Sequence, residues 1–110
     1  MTKTVFLLAL ILLTSSCSDD TPTRTDLSAL RSAQTDFHGR DIIVSGTLRS
    51  FPDPLHYWIE NDALDRVALE SERDLAQWVG EIVEVRGTFY YGRKSGRRIY
   101  VRELGRPVRD

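Results

Sequence analysis

Apolar and polar residues alternate along most of the chain after residue 40, with the period of two that indicates half-buried β-strands. Residues 50–55 interrupt the pattern and are predicted to form a loop. Pro52 and Pro54 cannot donate backbone hydrogen bonds, so this segment cannot be a central strand. Residues 92–96 begin and end with glycine and are predicted to form a hairpin turn. The predicted strands are residues 41–48, 56–60, 66–70, 81–91 and 97–104.

Two segments show helical spacing instead. Leu75, Trp78 and Val79 share one face of residues 72–79, which predict the one clear helix of the folded domain. Leu27 and Leu30 predict a short helical turn over residues 27–34, and Asp26 precedes it as a candidate N-cap.

An internal repeat supports this layout. Phe37-His38-Gly39 precedes a strand that contains Gly46-Thr47-Leu48, and 41 residues later Trp78-Val79-Gly80 precedes a strand that contains Gly87-Thr88-Phe89. The first glycine of each copy suits the end of a helix or loop. The inner glycine suits a bend or bulge in a curling strand.

Five strands, a helix between the third and fourth, and bends in the first and fourth predict a small all-β domain, a five-stranded OB-fold-like barrel. The sequences from Phe37 to Gly46 and from Trp78 to Gly87 resemble those of OB-fold domains in bacterial periplasmic proteins and lipoproteins. The resemblance extends over residues 37–104 and implies a fold but no particular ligand. Another small barrel of five or six strands is the alternative.

The first seventeen residues have the layout of a secretory signal. Lys3 precedes an apolar run over residues 5–13, which is too short to cross ~30 Å of hydrocarbon, and small residues follow it. Residues 13–17 resemble the lipobox of bacterial lipoproteins, although Thr14 stands where that family prefers an aliphatic residue. The resemblance implies that the signal is removed before Cys17, whose thiol carries diacylglycerol and whose new amino group is acylated. An ordinary secretory signal with a coincidental cysteine is the alternative.

These features divide the chain into a signal peptide (1–16), a flexible tether (17–26) and an OB-fold-like domain (27–110). Two or three acyl chains hold a protein stably on a membrane. In Gram-negative lipoproteins, an Asp directly after the cysteine favours the inner membrane. Ser18 occupies that place here and favours the periplasmic face of the outer membrane, with Asp19 one position later.

The net charge of the whole chain is uninformative, but the charges of its two parts differ. The 110 residues hold 15 Lys and Arg against 16 Asp and Glu, a net charge of -1, and one cysteine, so no intramolecular disulfide can form. Residues 86–110 contain eight basic and two acidic residues, whereas residues 17–85 contain six basic and fourteen acidic ones. The last hairpin is therefore basic and the rest of the domain acidic.

Strand alternation places three aromatic and several basic side chains on the outer face of the barrel, where OB-folds bind oligonucleotides or oligosaccharides. The competing interpretation is that these aromatics pack under the tether or the N-terminal helix and the arginines pair with the many acids. The candidate ligand-binding residues are Trp58, Arg86, Tyr90, Arg93, Lys94, Arg97, Arg98, Tyr100 and Arg102.

No catalytic or metal-binding pattern is visible. His38 and His56 are the two histidines, and the chain has no His-Glu-x-x-His, Cys-x-x-Cys or Gly-x-Ser-x-Gly motif. We therefore expect no enzymatic activity, no metal and no cofactor beyond the lipid on Cys17.

The sequence predicts a lipid-anchored binding or adaptor module of the cell envelope that contacts an anionic partner through its basic hairpin. Phospholipid or lipopolysaccharide phosphates and an acidic protein surface fit that description. The alternative is oligosaccharide or single-stranded nucleic-acid binding on the aromatic and basic face. A lipid anchor in the envelope argues against nucleic acid.

Overall fold

Five strands make up about half of residues 21–108, the part of the chain that this computed structural model describes. The elements in chain order are β1 (Thr23–Arg24), α1 (Leu27–Ser32), α2 (Gln34–Phe37), β2 (Asp41–Pro52), β3 (Leu55–Glu60), β4 (Arg66–Glu70), a 3₁₀ turn (Ala76–Trp78), β5 (Ile82–Gly92) and β6 (Gly96–Gly105).

The strands close into a barrel. The sheet order is β1-β2-β3-β4-β6-β5, and an additional antiparallel pairing of β2 with β5 completes the circle. Within the described residues, only β4 with β6 and β1 with β2 pair in parallel. This arrangement confirms the predicted five-stranded, OB-fold-like barrel.

The strands are steeply staggered around this barrel. Successive paired residues can be followed around the barrel from Arg49 of β2 through β3, β4, β6 and β5. The path comes back to the segment before β2 at Gly39, whose N–H donates to the carbonyl of Phe89. A return point ten residues earlier requires strongly tilted strands. The path runs through Arg49, Trp58, Ala68, Arg98 and Tyr90.

The two copies of the sequence repeat pair with each other through matching hydrogen bonds. The N–H of Gly39 donates to the carbonyl of Phe89 at 2.7 Å, and the N–H of Gly80 donates to the carbonyl of Leu48 at 2.8 Å. In return, Phe89 and Leu48 donate to the residue after each glycine at 2.9 and 3.0 Å. Both glycines have positive φ angles, 80° and 91°, which favour glycine. The repeat is a local two-fold arrangement of β2 and β5.

The inner glycines of the repeat allow close packing, as the pattern predicts. A Cβ atom on Gly87 would collide with the carbonyl oxygen of Tyr100, and the β5–β6 register shifts between Arg86 and Gly87. A Cβ atom on Gly46 would lie 2.9 Å from a methyl carbon of Leu27. One glycine therefore accommodates a bulge, and the other accommodates α1 against the barrel.

The core combines inward-facing residues of the strands with two leucines of α1. Leu27 and Leu30 are buried, and the Asp26 carboxylate accepts a hydrogen bond from the Ala29 N–H at 2.8 Å, which confirms the predicted N-cap. The buried hydrophobic residues are Leu27, Leu30, Ile42, Val44, Leu48, Ile59, Val67, Leu69, Leu75, Val83, Val85, Phe89 and Ile99.

The predicted helix over residues 72–79 is wrong, because only the 3₁₀ turn forms there. The Ser71 hydroxyl accepts from the Arg73 N–H at 3.0 Å, and the Asp74 carboxylate accepts from the Ala76 N–H at 2.9 Å. Such bonds from side chain to backbone compete with an α-helix. Leu75 is nevertheless buried, as its spacing predicts.

The predicted loop over residues 50–55 is shorter than expected. Strand β2 continues to Pro52, which pairs with Leu55 at the start of β3, so only Asp53 and Pro54 form the turn. A proline is tolerated at the end of a strand, where its nitrogen need not donate to the ladder.

The predicted tether is also partly ordered. Thr23 and Arg24 form β1 beside Ile42 and Ile43, and Arg24 bonds to Glu84 at 2.7 Å. The prediction of a flexible segment is therefore wrong for these two residues. Residues 17–20, with Cys17, lie outside the described residues.

We predict that Gly87→Ala destabilises the domain by ~1–3 kcal/mol, the usual cost of forcing extra atoms into a packed interior. Urea unfolding should show a lower midpoint. Gly105→Ala is the matched control, because nothing lies within 4 Å of its added Cβ atom. Equal midpoints for the two variants would contradict the proposed close contact.

Candidate functional site

The outer face of the β5–β6 hairpin presents two exposed tyrosines. The side chains of Tyr90 and Tyr100 are 38% and 48% exposed, and their ring centroids lie 5.3 Å apart at an interplanar angle of 84°. His38 approaches from the segment before β2 and meets the ring of Tyr90 edge-on at 5.5 Å. Because β5 pairs with the start of β2, the pairing of the repeat brings His38 to this hairpin.

These rings line an open groove of about 450 Å³, within the range of about 300–1,000 Å³ that is typical of small-molecule sites. The His38 Nδ1 accepts a hydrogen bond from the Tyr91 N–H at 3.0 Å, so the neutral ring carries its proton on Nε2. The lining includes His38, Thr88, Tyr90, Ser95, Arg98 and Tyr100.

Arg98 is the cation of the groove. Its guanidinium lies 3.8 Å from the Glu70 carboxylate, longer than the 2.7–2.9 Å that is typical of charge-assisted hydrogen bonds. Its Nε atom is buried and has no hydrogen-bond partner among residues 21–108. Arg98 is therefore only weakly paired, and 29% of its side chain is exposed.

Trp58 lies in a separate cluster on β3. Its indole N–H donates to Glu60 at 2.9 Å, the Arg66 guanidinium packs 5.3 Å from its ring centroid, and the His56 ring lies at 5.3 Å. It shares a register row with Tyr90, but β4 and β6 separate the two side chains. The structure therefore joins Tyr90, Tyr100 and Arg98 but not Trp58.

Glu60 is the acidic centre of this cluster, and its side chain is 12% exposed. The hydrogen bond from Trp58 lowers the pKa of Glu60; burial opposes this shift, and the charges of Arg66 and Arg49 support it. The two arginine Nε atoms lie 3.1 and 3.4 Å from its carboxylate oxygens.

Most of the predicted basic residues are engaged within the domain. Arg86 binds Asp41 at 3.2 Å, and Arg102 lies 3.7 Å from Asp41 and donates to Thr88 at 3.3 Å. These pairings agree with the interpretation in which arginines of the sheet pair with nearby acids.

Arg97 connects three elements. Its guanidinium donates to the backbone carbonyl of Arg66 at 3.2 Å and to the Gln34 side chain at 3.1 Å. It thereby joins the tip end of β6 to β4 and α2, so Arg97, a predicted ligand-binding residue, makes contacts within the domain.

Arg93 and Lys94, at the tip of the hairpin, differ from the other candidates. Both are exposed, and neither has an ion pair with any residue between 21 and 108. They adjoin Gly92 and Ser95 of the groove. The free positive charge of the hairpin is therefore concentrated at its tip, beside the two tyrosines.

His38 and Ser95 line the groove but are not among the residues predicted from the sequence to bind a ligand. Each is a single polar residue without a motif around it. The available signal for His38 was its place in the repeat, directly before Gly39, since the repeat pairs with itself and sets His38 against β5.

None of the helices in the described range is long and apolar enough to cross a membrane. Between residues 21 and 108, no three His, Cys, Asp or Glu side chains are grouped so that they could hold a metal ion.

Among solved structures, the barrel is similar to part of a protein assigned as an aspartyl-tRNA synthetase from Leishmania major Friedlin, with a TM-score of 0.54 and 13% identity. The match covers 87% of this chain and 22% of that chain. The domain has an OB-like fold. At this identity the similarity extends to the fold alone, and the chain spans about a fifth of the length of the synthetase. No protein-family model and no curated protein matches the sequence.

We predict that Trp58→Phe raises the pKa of Glu60 toward its ordinary value, because the indole donor is removed. A folded-state pKa below the unfolded value stabilises the domain at neutral pH, and this stabilisation is lost as the pH falls through the folded pKa. The variant should therefore be destabilised most at neutral pH and less in acid. An NMR titration of the Glu60 carboxyl carbon tests this, with Trp78→Phe as the control that leaves the midpoint unchanged.

Proposed function

We propose that the protein is a lipid-anchored, non-enzymatic binding module of the bacterial cell envelope that contacts an anionic partner through its β5–β6 hairpin. In this proposal the signal peptide is removed, Cys17 carries the lipid, and the barrel stands on the periplasmic face of the outer membrane. The observation that supports anion binding best is the exposed Arg93–Lys94 tip, which has no acidic partner among the described residues.

The direction of the strands favours the anchoring membrane as that partner. Strand β1 runs parallel to β2, with Thr23 beside Ile42, so the chain before Thr23 leads past the start of β2. Strand β5 runs antiparallel to β2, with Thr88 beside Asp41, so its end leads past the same point. The tether and the hairpin tip therefore leave the barrel at one corner.

The lengths involved are compatible. Five residues separate Cys17 from Thr23, and the six steps from one residue to the next span at most about 20 Å when extended. The hairpin continues beyond Thr88 for roughly 15 Å at the usual strand rise. A domain whose tether is inserted at Cys17 can thus rest its hairpin tip on the lipid headgroups.

Two cations give a modest interaction. Each Lys or Arg near an anionic membrane surface contributes about 1 kcal/mol, so the tip accounts for roughly a thirty-fold preference. This is enough to orient a domain that is already anchored, but too little to recruit an unanchored one stably. We therefore assign membrane attachment to the lipid and orientation to the hairpin.

Replacing Cys17 tests the anchor. We predict that Cys17→Ser abolishes incorporation of radiolabelled palmitate and releases the protein from the membrane fraction, because the thiol that carries the diacylglycerol is lost. The matched control is Ser18→Ala, which keeps the thiol. Unchanged labelling of Cys17→Ser would contradict the anchor.

A single-thiol label tests the tip. In the lipidated chain Cys17 is acylated, so Ser95→Cys introduces the one free thiol, and a fluorophore there reports the distance to quencher-labelled headgroups. We predict quenching in vesicles that contain phosphatidylglycerol and at least a several-fold loss in the Arg93→Gln/Lys94→Gln variant or at high salt. Arg73→Gln, which removes an exposed arginine on another loop, should change nothing.

The other end of β2 provides the positional control. A fluorophore on Phe51→Cys, in the exposed β2–β3 hairpin, should remain unquenched because β2 runs away from the tether toward that hairpin. Equal quenching at both positions, or equal quenching in neutral and anionic vesicles, would contradict the oriented contact.

A second function, oligosaccharide or single-stranded nucleic-acid binding on the aromatic and basic face, is favoured by the exposed Tyr90–Tyr100 pair. Trp58 is the weaker platform, because His56 and Arg66 already pack against its ring. The two functions are compatible, since the tyrosines and the tip belong to one hairpin.

A further inference from the structure

We infer that the groove beside the tip of the β5–β6 hairpin binds a saccharide that carries an acidic group. The inference deepens the proposed function and rests on it in one respect, the anionic character of the partner. The site lies on β5 and β6, away from the Trp58 cluster of β3.

The tyrosine geometry favours a sugar over consecutive nucleobases. Bases that stack in series need aromatic platforms that are nearly parallel, whereas the rings of Tyr90 and Tyr100 are inclined by 84°. A pyranose has one apolar C–H face and a rim of hydroxyls, so it needs only one exposed ring face with polar groups beside it. The groove offers that combination.

Polar groups surround the tyrosines at the rim. The neutral His38 ring carries its proton on Nε2, because Nδ1 accepts the backbone bond, and Ser95 also lines the groove. Both can bond to sugar hydroxyls, the first as a donor and the second as donor or acceptor.

Arg98 favours an acidic substituent on that sugar. Its acidic neighbour, Glu70, is half exposed and 3.8 Å away, so a ligand carboxylate or phosphate can form a shorter, bidentate contact. Arg93 and Lys94 follow directly after Gly92 at the rim and add positive potential. A neutral sugar would leave these charges unused.

The groove is largely formed before any ligand arrives. The Tyr91 amide holds His38, the two tyrosines contact each other edge-on, and Arg97 links the tip end of β6 to β4 and α2. A Cβ atom on Gly92 would lie 2.6 Å from the Ser95 hydroxyl, so the turn is tightly packed. Such preorganisation reduces the entropic cost of binding.

The test uses the lipidated, detergent-solubilised protein and isothermal titration with four probes. These are a galacturonic acid tetramer, the neutral galactose tetramer, inorganic phosphate and an eight-residue oligothymidylate. We expect the acidic tetramer to bind at least ten-fold more tightly than the neutral one, and phosphate alone not to saturate.

Variants separate stacking from charge. Tyr90→Ala and Tyr100→Ala should each weaken binding of the acidic tetramer about ten-fold or more, whereas Phe51→Ala, which removes an exposed aromatic elsewhere, should not. Arg98→Gln should abolish the preference for the acidic tetramer and leave the affinity for the neutral one unchanged. Circular dichroism confirms that each variant is folded.

Several results would overturn the inference. These are equal affinity for the acidic and neutral tetramers, tighter binding of the oligothymidylate, or unchanged affinity in both tyrosine variants. If the tetramer fails to bind while the Ser95→Cys label still reports headgroup contact, the saccharide inference fails and the proposed function stands. If the tetramer does not bind and the Ser95→Cys label reports no headgroup contact, the proposed function fails too.

Competition identifies the source of the sugar. Lipopolysaccharide vesicles that displace the tetramer, when phosphatidylglycerol vesicles do not, would indicate a glycolipid headgroup in the membrane. A tetramer that neither vesicle displaces would indicate a soluble acidic polysaccharide. Both results support the same chemistry in the groove.

Discussion

The antiparallel pairing of β2 with β5 is the constraint on which the rest of the structure depends. It closes the barrel, and it does so through two matched pairs of hydrogen bonds at Gly39 and Gly80, where the backbone has positive φ angles. The same pairing brings His38 to Tyr90 and sets the end of β5 beside the segment that precedes β2. The candidate groove follows from this contact, and the shared corner of tether and hairpin follows from it together with the parallel pairing of β1 with β2.

The ion pairs explain why so basic a hairpin offers so little free charge. Exposed pairs of this kind stabilise a fold by only about 0–1 kcal/mol each. The pairs of Asp41 with Arg86 and Arg102 therefore matter less for stability than for the charge of the surface. They neutralise the middle of β5 and β6. Positive charge then remains at Arg93 and Lys94, which form no ion pair within residues 21–108, and at Arg98, whose acidic neighbour Glu70 is 3.8 Å away.

Strand positions were largely predictable, because alternation reports which face is buried, and the repeat anticipated where β2 and β5 bend. The helix prediction over residues 72–79 was wrong because the spacing of hydrophobic residues gives no information about hydrogen bonds between side chain and backbone. Those that Ser71 and Asp74 accept compete with the helix. The sequence predicted which residues face outward, but not that they fall into two separate clusters, one around Tyr90 and Tyr100 and one around Trp58. Whether Trp58 joins Tyr90 depends on register across β4 and β6, and whether Arg97 is free depends on Gln34, 63 residues away.

The length of the β5–β6 hairpin gives the molecule two chemically different ends. Strand β5 has eleven residues and spans roughly 35 Å. Its far end carries the cationic tip, while Val79 and Ile82, 42% and 61% exposed, lie around its beginning. The hairpin therefore separates an exposed apolar end from a cationic end. The distance between them is comparable to the ~30 Å hydrocarbon thickness of a bilayer.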